Sequence, residues 1–165
     1  MRYLKSLISS TKTPKPITTA DILFAQKEWA KGIVEIGQYH TDKKDYQARA
    51  KKHLKNLYAF KISPVLFKPT LASAVPFRQT FDQALSYFIG GIIEEDHGFA
   101  LHPWIKVKFC DQRTVINEHC AVAMGSYEFT AQNNDIKSAE FTFVYIQGTG
   151  GKLLINVHHS SLPFV

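Results

Sequence analysis

The chain has 165 residues, enough for one domain with a substantial core, and its 45% hydrophobic and 21% charged residues are the balance of an ordinary globular protein. The net charge of +6 is lopsided: residues 1–78 hold fifteen Lys/Arg and five Asp/Glu, residues 79–165 hold five and nine. No apolar run approaches the ~18 residues of a membrane span, and Cys110 and Cys120 lack the spacing of a metal site or a disulfide framework, which leaves a cytoplasmic protein with free thiols as the expectation.

Residues 1–20 read as a flexible tail. Their apolar stretch is too short and interrupted for a secretory signal, and Thr11–Thr19 is rich in Thr, Pro and Lys. A single domain is expected over 21–165. Thr18-Thr19-Ala20-Asp21 supplies N-cap chemistry for a long first helix through Ile22, Leu23, Ala25, Trp29, Ile33 and Ile36. Asp42–Asp45 caps a second, with Tyr46, Ala50, His53, Leu54, Leu57 and Tyr58 at helical spacing; His53 is expected on a helix face, without chemistry. Lys43, Lys44, Lys51, Lys52 and Lys55 are spaced as its wet face. The basic half lacks interleaved exposed aromatics, so no nucleic acid is expected as a partner.

Val65-Leu66-Phe67 predicts a short strand ended by Lys68-Pro69-Thr70, and Phe81–Ile89 predicts a third helix closed by Gly90-Gly91. Strands follow over 105–109, 114–117, 119–129, 138–146 and 153–159, with turns at Asp111-Gln112, Asn133-Asn134-Asp135 and 148–151. Helices first and a meander of strands after them predict an α+β fold, a curved antiparallel sheet with helices on one face.

A cone of this kind encloses a cavity between sheet and helices, whose polar groups must be satisfied by one another, by water or by a ligand. On the last strand, side chains alternate, so His158 and Ser160 share one face and His159 and Ser161 the other. An imidazole and a hydroxyl on one face can bind and polarise a small oxyanion or a water. Thr70, Tyr87 and Tyr127 are further candidates to point into the cavity; Tyr145 is taken as core. His40, His97, His102 and His119 are scattered and expected to be structural or exposed.

Three segments, Ala123–Thr130, Phe141–Tyr145 and His158-His159-Ser160-Ser161-Leu162-Pro163, resemble the association domain of calcium/calmodulin-dependent protein kinase II, within the nuclear-transport-factor-2-like fold. Trp29–Val34, Pro64–Thr70, Ser86–Gly91, Gly98–Trp104 and the His158–Pro163 motif resemble more closely a bacterial and algal branch, the iota-class carbonic anhydrases, over roughly residues 24–165. That resemblance implies reversible hydration of CO2 to bicarbonate in a bicarbonate-sized site. Carried over by motif, its catalytic residues are Thr70, Tyr87, His158 and Ser160, with hydroxyls positioning water and bicarbonate oxygens and His158 as base or proton shuttle. Tyr127, His159 and Ser161 join Thr70, Tyr87 and Ser160 as expected substrate contacts. No metal is expected, because no three-His or carboxylate-rich ligand set is visible; a metal-requiring variant of the class leaves zinc and manganese open.

The resemblance also implies a homodimer or higher homo-oligomer, in keeping with an aromatic-rich open sheet. The alternative reading is a non-catalytic oligomerisation or ligand-binding module of the same fold. An isomerase or hydrolase is disfavoured, since the strand acids Glu128 and Glu140 alternate onto the wet face.

Overall fold

The computed structural model describes residues 15–164, so residues 1–14, most of the expected tail, lie outside the described residues. Helix α1 (Thr19–Thr41) starts at a reciprocal cap: the Asp21 amide donates to Thr18 Oγ1 at 3.2 Å, and the Thr18 amide donates to Asp21 Oδ2 at 2.9 Å. The helix therefore takes in Thr19 and Ala20, placed above in the tail, and Ile17 before it is buried in the core. Its inner stripe is Ile22, Ala25, Trp29, Ile33 and Ile36, the spacing that keeps one face toward a partner.

Helix α2 (Tyr46–Leu57) is capped by Asp45, which accepts from the Ala48 amide at 2.9 Å, and turns its lysines to solvent. Its His53 is buried, on the face turned to α1. The imidazole fills the space left by Gly32 on α1: a Cβ there would lie 2.0 Å from His53 Nδ1. Strand β1 (Leu66–Lys68) and helix α3 (Phe81–Ile89), capped by Thr80, complete the helical half.

Four strands follow: β2 (Trp104–Ile116), β3 (Cys120–Ala131), β4 (Ile136–Gln147) and β5 (Leu153–Ser161), in the sheet order β1-β5-β4-β3-β2. Two expectations change. The segments 105–109 and 114–117 form one strand, because Asp111, at φ +47°, makes a bulge and both halves keep pairing with β3. The sheet is also mixed. β1 runs parallel to β5, with Phe67 beside His158, because it enters the sheet from the helical layer and not through a hairpin. The remaining pairs are antiparallel.

The helices cover one sheet face, against which Ala123, Tyr127, Phe129, Phe141, Phe143 and Tyr145 are buried. The register shifts in β2/β3 and β4/β5 bend the sheet around this layer. Among the described residues no helix is long and apolar enough to cross a membrane.

Candidate active site

A cavity of about 430 Å³ lies between the sheet and α3, walled by Phe67, Tyr87, Phe99, Trp104 and Phe129 and reached by Thr70, Tyr127, His158 and Ser160. Phe143 pairs with His158 and Phe141 with Ser160 across β4/β5, so both polar residues stand on the inner face, as the alternation predicts. The same alternation takes His159 and Ser161 out of the site. They lie on the far face of the sheet beside Met124, Ser126 and Thr142, and the Ser161 hydroxyl donates to Glu140 there at 3.1 Å. These two were expected among the substrate contacts; the cavity is lined by His158 and Ser160 and not by them, because a strand alternates its side chains between faces.

Three hydroxyls are linked along the inner wall. Tyr127 donates to Ser160 Oγ at 2.5 Å, and Ser160 is in turn hydrogen-bonded to Thr70 Oγ1. Thr70 reaches Ser160 because β1 ends beside β5 and Pro69 carries the chain across the cavity mouth. Whichever of Ser160 and Thr70 donates to the other, one hydroxyl proton of the pair stays free for a bound molecule. Burial pushes the Tyr127 phenol up, with the Ser160 bond opposing, so Tyr127 remains a proton donor at neutral pH. Tyr87, packed edge-on to Phe67, is also raised by burial, with the Leu71 backbone pulling the other way.

His158 is held differently from its neighbours on the strand. Its ring stacks on Phe67 at 4.5 Å and meets the edge of Phe143 at 4.4 Å. The Trp29 indole N–H donates to Tyr58 Oη at 3.0 Å, and Tyr58 Oη lies 2.8 Å from His158 Nδ1. With its oxygen already accepting from Trp29, Tyr58 satisfies every group in this chain by donating to Nδ1, which places the imidazole proton on Nε2. The opposite tautomer would strand the Tyr58 proton in the core as well. His158 Nε2 is buried without a partner among the described residues. Burial, followed by His159 and His53, drives the His158 pKa well below the ordinary imidazole range. The ring is thus a fixed, neutral N–H donor.

Tyr58 was missed from the sequence, where it reads as the apolar end of α2. Nothing local distinguishes it, because its partners lie 29 and 100 residues away.

The outer wall of the cavity is braced by charge. Buried Arg78 donates to Asp96 from Nε at 3.0 Å and from Nη2 at 2.5 Å. Glu95 accepts the Ser73, Ala74 and Val75 amides, each at 2.9 Å, and these bonds, Val75 and Ala74 foremost, hold its carboxyl down at about 2. Among the described residues no group of three or more His, Cys, Asp or Glu is placed to hold a metal ion.

The chain was compared with known proteins. The family description "Metal-independent carbonic anhydrase" matches residues 20–162. A metal-independent carbonic anhydrase of Nostoc sp. (strain PCC 7120) is 38% identical over 164 residues, covering 94% of this chain and 80% of that protein. The crystal structure of an iota-carbonic anhydrase from a cyanobacterium complexed with bicarbonate superposes with a TM-score of 0.87 at 35% identity, over 91% of this chain and 94% of the other. A protein from Xanthomonas campestris described as a calcium/calmodulin-dependent protein kinase II association domain shares the fold, with a TM-score of 0.60 at 22% identity over 92% and 95% of the two chains. The chain belongs to the metal-independent carbonic anhydrase family, on the nuclear-transport-factor-2-like fold.

Proposed function

We propose that this carbonic anhydrase hydrates CO2 reversibly at the wall shared by Thr70, Tyr87, Tyr127, His158 and Ser160, with no metal taking part. One observation carries the assignment of residues. A tautomer-fixed imidazole N–H and a relay of three hydroxyls stand on the same inner face, two residues apart on β5. That the relative in the crystal structure holds bicarbonate supports an anion of this size as the product.

Hydration forms a C–O bond between water and CO2, moves one C=O electron pair onto oxygen and releases one proton. Without a zinc ion to acidify the water, the site works by orientation and by donors aimed at the developing oxyanion. His158 Nε2–H and the Tyr87 hydroxyl are those donors. The Ser160–Thr70 pair orients the attacking water: the hydroxyl whose proton is uncommitted accepts the water's proton and gives up its own to a second water in the cavity, so that no hydroxyl bears a full charge. Aromatic walls accommodate apolar CO2 and keep bulk water away from the charge. The expectation that His158 is a base gives way to a donor role, because its Nδ1 lone pair is occupied by Tyr58 and its burial opposes protonation.

We further infer a homo-oligomer formed through the outer sheet face, where exposed Val115 and Met124 sit beside half-buried Val122 and Val144. The free thiols of Cys110 and Cys120 favour a cytoplasmic location.

Stopped-flow CO2 hydration before and after treatment with a strong chelator tests the reading. Unchanged activity is expected. Activity restored only by added zinc or manganese would sink the metal-free assignment, and inactivity in every condition would favour the non-catalytic module.

A further inference from the structure

Each hydration turnover must deliver one proton to solvent, and the inner wall has no group able to keep it on the way. The hydroxyls of Tyr127, Ser160 and Thr70 pass a proton only by receiving another, and His158 is too deeply buried to take up charge. Two imidazoles line this cavity while remaining exposed to solvent, His97 and His102. Imidazole is the side chain that gains and loses a proton near neutrality.

The two histidines are held differently. His102 packs its ring against Trp104 at 4.1 Å. His97 has a fixed backbone on both sides and an exposed ring. Before it, Asp96 is clamped by Arg78. After it, Gly98 takes φ +79°, where a Cβ would lie 2.8 Å from Leu101 Cδ1, and Phe99 stacks on Tyr87 at 5.7 Å. A side chain on such an anchored pivot can face the cavity and the solvent in turn. The other charged groups around the cavity do not compete for the role. Glu95 and Asp96 are engaged by Arg78 and the 73–75 amides, and Lys137, across the mouth at the start of β4, is a donor only.

We propose that His97 carries the proton between the cavity and bulk solvent, accepting it from cavity water as the hydroxyl relay discharges and releasing it to buffer. This rests on the carbonic anhydrase reading above. Proton export is separable from the chemical step, since interconversion of bound CO2 and bicarbonate is contained in kcat/KM whereas kcat includes the export.

The experiment measures CO2 hydration by wild type, His97→Ala, His97→Gln and His102→Ala in dilute buffer and again with added imidazole. In dilute buffer, kcat of both His97 variants is expected to fall about tenfold. Their kcat/KM should stay within about twofold of wild type, which also shows that the site is folded. Added imidazole should restore kcat, and His102→Ala should behave as wild type. An undiminished kcat, a parallel fall in kcat/KM, a loss that imidazole does not rescue, or the loss appearing in His102→Ala instead would each overturn the proposal. An inactive wild type would instead defeat the carbonic anhydrase reading on which it rests.

Discussion

Tyr58 Oη lies 2.8 Å from His158 Nδ1, at the inner end of a hydrogen-bonded chain that begins at the Trp29 indole. Three elements of the fold, α1, the end of α2 and β5, thereby converge on the tautomer of one imidazole. In the proposed reaction the His158 Nε2–H is the donor, and its tautomer is set by a residue that does not line the cavity. Tyr58 is a positioning residue in this sense.

Tyr58→Phe is expected to lower kcat by about 10²-fold while the protein stays folded, because the freed His158 can populate the wrong tautomer. Histidine ¹⁵N shifts distinguish this from a packing defect. Wild type should show His158 protonated at Nε2, and the variant a mixture. A variant that loses activity with the tautomer unchanged would remove the positioning argument.

Ser160 and Ser161 are neighbours with opposite fates. Ser160→Ala breaks the relay at its centre, leaving Tyr127 and Thr70 unlinked, and should cost about 10²-fold or more in kcat. Ser161→Ala and His159→Ala alter only the far face of the sheet and should leave kcat within about twofold. Stopped-flow rates on the three variants check this, and equal losses in all of them would contradict the face assignment.

Stability should fall with acid well before the carboxylates titrate. His53 is held at about 3 by burial, foremost, and by Arg49, against an ordinary 6.5, and His158 is depressed as well. The unfolded chain therefore takes up protons that the folded chain refuses. This stability is complete above pH 6.5 and is lost progressively as pH falls below it, by about 1.4 kcal/mol per pH unit for each histidine. Denaturant midpoints measured between about pH 7 and pH 5 should show this slope, and His53→Leu should reduce it by about half. A midpoint flat over that range would contradict burial of the two neutral rings.

Gly32→Ala should destabilise the fold by about 1–3 kcal/mol, since its Cβ would meet the His53 ring at 2.0 Å. Shortening the ring's side of the contact, in Gly32→Ala combined with His53→Ala, should recover part of the loss relative to the sum of the single changes. Thermal melts of the four proteins measure the coupling; strict additivity would mean that the two residues are not in contact.

Asp96→Asn should cost about 3 kcal/mol, because it removes the closer of the two carboxylates that pair with the buried Arg78 guanidinium and leaves only Glu95, at 3.3 Å. The wall from Ser73 to Val75 hangs on the same cluster through Glu95, so protection of its amides from hydrogen exchange should drop with it. Retained stability with retained protection would show that Glu95 suffices to brace the wall.

The sequence by itself determined the helices, the strand faces and the family. Capping at Thr18 and Thr80, the apolar stripe through Trp29 and the two-residue alternation of β5 are local, and local rules read them. The alternation already separated His158 and Ser160 from His159 and Ser161, and the structure kept that separation. Tertiary structure alone decided the rest. The parallel pairing of β1, the conversion of the Asp111 turn into a bulge, the burial of His53 against Gly32 and the bond from Tyr58 to His158 each depend on where a distant segment arrives. Propensity and periodicity act over a few residues, whereas the state of a buried imidazole is set by desolvation and by a partner 100 residues away, neither of which leaves a mark on its neighbours in the chain.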